Sequence, residues 1–107
     1  MKSIIVSLMA TAGLAASGAA LAVDLPPAGQ KNCAACHAVG QRVVGPAFMD
    51  VSRKYKGKKN AVATITKHIK SGGSFGWNYG VMPPRGLGAN DAEVATMAKF
   101  IVGLAKK

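Results

Sequence analysis

The chain has 107 residues, half of them hydrophobic, with 14 Lys and Arg against 4 Asp and Glu, a formal charge of +10. That length leaves room for one domain, and a surface so basic should meet acidic partners and attract them at long range. Nucleic acid, the usual first suspicion for a basic chain, is set aside because the first residues read as an export signal.

Lys2 gives a short positive start, Ile4 to Ala16 is almost wholly apolar, and Ala20-Leu21-Ala22 fits an A-x-A cleavage site. Residues 1–22 are therefore expected to be a cleavable secretory signal peptide. The alternative is an uncleaved membrane anchor, which the small-residue end and single-Lys start oppose. The residue directly after the cleavage site is Val23 and not Cys, so a lipoprotein anchor is not indicated, and no later segment could span a bilayer. Residues 23–107 remain as one domain of 85 residues with 13 basic and 4 acidic side chains. A domain of that size buries a modest core and often needs a staple.

Pro26-Pro27 opens a short helix that runs into Cys33-Ala34-Ala35-Cys36-His37. Val39 to Pro46 is a loop. Ala47 to Tyr55 reads as a helix with Phe48, Val51 and Tyr55 on one face. After the polar Lys56-Gly57-Lys58-Lys59, Asn60 is a candidate N-cap for a helix to about Ser71, with Val62, Ile65 and Ile69 as its stripe and Gly72-Gly73 as its end. Ser74 to Ala89 has no helical period and is a long loop, of the kind that tends to be functional. Asn90 and Glu93 form a capping box for a last helix with Val94, Met97, Ala98, Ile101 and Val102 as its apolar stripe. Lys106 and Lys107 suit the negative end of its macrodipole. No alternating pattern of any length occurs, so the fold is expected to be all-α.

Cys33 and Cys36 are the only cysteines, and His37 follows directly. Cys-x-x-Cys-His is the attachment motif of c-type haem: two thiols add across the porphyrin vinyl groups and the adjacent imidazole binds the iron. Three other readings are weaker. A zinc site would find only His68 as a further His or Cys donor. A thioredoxin-like redox pair expects a βαβ setting. An exported Cys pair could form a disulfide, but the trailing His favours haem. For the sixth ligand, Met49 lies off its helix stripe and Met97 lies on one, as core packing would place it. Met82 precedes Pro83-Pro84, which force an extended and stiff segment, and is the expected ligand. His68, at the edge of its helix's stripe, reads as a partly exposed helix residue.

These residues, together with Val44-Gly45-Pro46-Ala47-Phe48, Ile69-Lys70-Ser71-Gly72 and Gly76-Trp77, make the chain resemble the small bacterial class I monohaem cytochromes c of the c-551/c-552 type. The resemblance implies four to five short helices around one covalent haem, with His37 and Met82 axial. It implies that the Pro46 carbonyl accepts the second ring N–H of His37, that the Trp77 indole bonds a haem propionate, and that His68 faces the same propionate. The chain departs from the pattern at Arg85, where relatives often carry Asn, and at Asn78-Tyr79-Gly80-Val81, which replaces a proline-rich approach to the methionine.

The expected function is a soluble, monomeric periplasmic electron carrier and not an enzyme, since two protein ligands leave no vacant iron position. By resemblance its partners are a quinol-oxidising complex as donor and an oxidase, nitrite reductase or peroxidase as acceptor. Arg53, Lys54, Lys56, Lys58 and Lys59, with Lys31, Arg42 and Arg85 also available, form the basic surface expected to steer acidic partners. The alternative is an open-site haem enzyme or gas-binding c-type haem protein, should Met82 not ligate.

Overall fold

Asn90-Asp91-Ala92-Glu93 folds as the capping box its spacing predicts. The Asn90 side chain accepts from the Glu93 N–H at 2.8 Å, and the Glu93 carboxylate accepts from the Asn90 N–H at 3.0 Å. This is a computed structural model, and it describes residues 23–105. The expected signal peptide and the Lys106-Lys107 end lie outside the described residues.

Four helices follow in chain order: α1 Pro27–Asn32, α2 Phe48–Tyr55, α3 Ala61–Ser71 and α4 Asp91–Leu104. Among the described residues there is no extended strand; β-type pairing is limited to two single bridges, His37 with Arg42 and Gly73 with Met82. None of the described helices is long and apolar enough to cross a membrane. The all-α expectation holds.

α4 is the common partner of the other three helices. Val94, Met97, Ala98 and Ile101 on its apolar face are buried, and Phe48 of α2, Ile65 and Ile69 of α3 and Ala89 close around them. Val102, on the same stripe, is half-buried. α1 approaches α4 closely at Gly29, where a Cβ would lie 2.9 Å from the sulfur of Met97 and the end of that side chain would have to shift.

The far end of α4 is satisfied from α2. Ser52 is buried, donates its hydroxyl to the Val102 carbonyl at 3.2 Å and accepts from the Ala105 N–H at 2.9 Å. One hydroxyl thus bonds two backbone groups at the end of α4. The Asn60 cap differs from expectation. Asn60 occupies the N-cap position of α3, but its side chain makes no capping hydrogen bond. Its φ of −107° and ψ of 32° belong to the turn closed by Ala61 N–H on Lys58 O, not to the extended geometry that aims a cap.

The long loop from Gly72 to Ala89 is tied down at its later end. Arg85 donates its backbone N–H to Ile69 O at 2.7 Å, its guanidinium to Ala89 O at 3.1 Å, and forms an ion pair with Asp91 at 2.8 Å. Leu87 N–H bonds Asn32 O at 3.2 Å, bringing the loop against α1.

Candidate haem site

The end of α1 turns sharply. His37 N–H reaches back to Cys33 O at 2.9 Å, and the loop that follows returns to place the Val44 and Gly45 N–H groups on Cys36 O at 3.0 and 2.7 Å. Both thiols and the imidazole are thereby held on one folded turn, each half-buried. Burial pushes the Cys33 thiol up, with the neighbouring Cys36 and Glu93 adding to the shift.

His37 is fixed from three directions. Its Nδ1 lies 2.8 Å from the Pro46 carbonyl. A carbonyl only accepts, so Nδ1 carries the proton and Nε2 keeps its lone pair free. Its ring stacks on Phe48 with centroids 4.6 Å apart. Gly45 sits so close that a Cβ there would meet His37 Cε1 at 2.5 Å, so any larger residue would displace the ring. Burial lowers the pKa of His37, partly opposed by the Pro46 bond. The ring is therefore neutral at ordinary pH, the form a metal donor requires.

The thiols and His37 line an apolar cavity that is open at its mouth. Met82, Trp77 and His68 line the same cavity. Met82 is half-buried, and its backbone exchanges two hydrogen bonds with Gly73, both 3.0 Å. Of the competing methionines, Met49 lines a separate depression beside Val39 and Arg53. Met97 also borders the cavity, but it is buried in the core and its sulfur packs toward Gly29. His68 stacks on Phe75 with centroids 3.8 Å apart and meets Tyr55 edge-on. Burial, then Lys54 and Lys67, lower its pKa.

This donor set fits a c-type haem: two thiols three residues apart, a neutral imidazole with one nitrogen free, a thioether and apolar walls. It does not fit zinc, since no group of three or more His, Cys, Asp and Glu gathers among the described residues. The absence of any βαβ unit there also removes the thioredoxin-like reading.

Three wall residues escaped the sequence reasoning. Phe75 and Tyr79 line the cavity with Trp77. Aromatics at every second position of a Gly-rich loop were the signal available. Asn32 also lines it, with its Oδ1 buried and unpartnered among the described residues, and carries no signal beyond standing next to Cys33. Part of the basic surface proves to be engaged. Lys31 pairs with Glu93, Arg53 with Asp50, and Lys70 and Arg85 with Asp91.

Comparison with known proteins agrees with this geometry. The family model described as Cytochrome c matches residues 15–105. Cytochrome c-552 of Hydrogenobacter thermophilus is 37% identical over 96% of this chain and 97% of its own. Cytochrome c-551 of Pseudomonas aeruginosa is 37% identical over 92% of both. The crystal structure of Nitrosomonas europaea cytochrome c552 superposes with a TM-score of 0.66 at 38% identity, covering 72% of this chain and 95% of that one.

Proposed function

The chain belongs to the cytochrome c family as a small single-haem member of the c-551/c-552 type, and from that premise we propose that it is a periplasmic carrier of single electrons whose iron is held by His37 and Met82. Membership brings one covalent haem c and a place in electron transport. When bound, haem c supplies one-electron cycling between ferrous and ferric iron.

The observation that carries the proposal is that the two thiols, His37 and Met82 line one apolar cavity, with Nε2 of His37 left free by Pro46. Pro46 fixes the tautomer and orientation of the imidazole, and its bond strengthens the ring as a donor. Gly73 holds the Met82 backbone from both its N–H and its carbonyl. The partner in each restraint is a backbone group, Pro46 O for His37 and Gly73 for Met82, and backbone groups carry no charge that changes with pH. Apolar walls keep water out, which together with a thioether donor raises the reduction potential. Trp77 and His68 serve the propionate side of the cavity.

His37 and Met82 would together hold the iron and leave no place on it for a substrate, so the chain works as a soluble monomeric carrier and not as an enzyme. Its partners are acidic redox proteins: an oxidase, nitrite reductase or peroxidase on one side and a quinol-oxidising complex on the other. Residues 1–22 direct export and are removed by cleavage after Ala22.

The test is the protein purified from a host competent for haem attachment. Expected are an intact mass one tetrapyrrole above the chain beginning at Val23, and low-spin spectra in both states. The ferric form should show the weak far-red band of methionine sulfur on iron, and Met82→Ala should abolish that band. A colourless protein overturns the cofactor assignment. A high-spin wild-type ferric spectrum overturns the Met82 ligand and favours an open-site haem protein.

A further inference from the structure

The segment that approaches Met82 has no stiffness of its own. Residues 78–81 contain no proline, and none of their backbone groups bonds another backbone group among the described residues. Gly80 has a φ of +100°, and Asn78 sits at φ +62°, a conformation that costs free energy outside glycine. Something else must hold this stretch in place.

A run of four side chains does so. The Arg42 guanidinium lies 3.9 Å from the centre of the Tyr79 ring. Tyr79 stacks beside Trp77 with centroids 6.1 Å apart and planes 28° apart. The Lys54 ammonium lies 4.8 Å from the Trp77 ring and donates to Phe75 O at 3.1 Å. The two neighbouring rings are therefore flanked by a cation at each end, both within cation–π reach. Neither cation is in an ion pair among the described residues.

The two cations come from the His37 side of the site. Arg42 lies opposite His37 in a single antiparallel backbone bridge. Lys54 stands on α2, the helix whose Phe48 stacks on the His37 ring. We propose that Arg42 and Lys54 are positioning residues, which clamp Trp77 and Tyr79 and so hold Met82 on the iron. The clamp does the work that a proline-rich approach would do by backbone rigidity. It rests on the Met82 reading above and adds to it the residues that set how easily the sulfur leaves.

The test titrates ferric holoprotein with imidazole, which takes the sulfur's position, one donor bond forming as the other breaks. Hydrogen exchange of the Met82 N–H is measured alongside. Arg42→Gln and Lys54→Met should each raise imidazole affinity and speed that exchange by about two- to fivefold. Tyr79→Phe keeps the ring face and should match wild type, whereas Tyr79→Leu should behave like Arg42→Gln. Wild-type affinity and exchange in both cation variants would overturn the clamp. A wild-type ferric protein without the far-red band overturns the Met82 reading instead, and the exchange rates still decide whether the two cations hold the segment.

Discussion

His68 shows how a single side chain takes its properties from several elements. Lys54 and Tyr55 face it from α2, Lys67 from its own helix and Phe75 from the long loop. Burial and the two lysines disfavour its charged form, so its proton is lost below the ordinary value of 6.5. If the imidazolium lies near the haem, it favours the more electron-rich ferrous state. The reduction potential should therefore rise as pH falls through this lowered pKa and level off above it. Redox titrations from about pH 5 to pH 9 should show that slope in the wild type and lose it in His68→Ala. Equal slopes would separate His68 from the haem electrostatics. The presence of His68 in the site was legible only through family likeness. Its stacking partner is not, because Phe75 adopts φ +53°, a choice no local pattern announces.

At the scale of elements, the helices were legible because each carries its own local signals. Proline marks the start of α1, a capping box that of α4, and a stripe at helical spacing runs through α2, α3 and α4. The joints between helices were not legible, because they depend on residues far apart in the chain. Ser52 is the clearest instance: a polar residue of α2 whose value lies in the carbonyl of Val102 and the N–H of Ala105. Ser52→Ala leaves both without that partner in a buried joint. It should cost about 1–3 kcal/mol in urea unfolding of the ferric holoprotein, with the denaturant slope unchanged. The Arg42–Tyr79 contact is illegible for the same reason. Sequence offers a basic residue in one loop and an aromatic one in another, and only the fold brings them to 3.9 Å.

For the whole molecule, charge is unevenly spent. Asp91 and Glu93, both at the start of α4, between them pair with Lys31, Lys70 and Arg85. Hydrogen bonds, from Arg85 to Asp91 and from the Asn90 N–H to Glu93, are the leading reason that these carboxyls sit below their ordinary values. Lys56, Lys58 and Lys59 in the turn between α2 and α3 are exposed, with no ion pair among the described residues. That turn is the part of the basic run free to steer an acidic redox protein. Bimolecular electron transfer to such a partner should slow as salt rises from about 0.01 M to about 0.15 M, over which the Debye length shrinks from ~30 Å to ~8 Å. Lys56→Gln, Lys58→Gln and Lys59→Gln together should flatten the dependence. A wild-type rate indifferent to salt would remove steering from the account.

α4 is the helix on which the other three pack, and it is the last of them to be synthesised. Until it arrives, α1, α2 and α3 lack the helix against which each of them chiefly packs, and the hydroxyl of Ser52 has no helix end to serve. The Cys33–His37 turn, near the front of the same domain, emerges while the chain is still open. Porphyrin can thus be joined to an accessible pair of thiols first and enclosed afterwards, an order of assembly written into where along the chain each part lies.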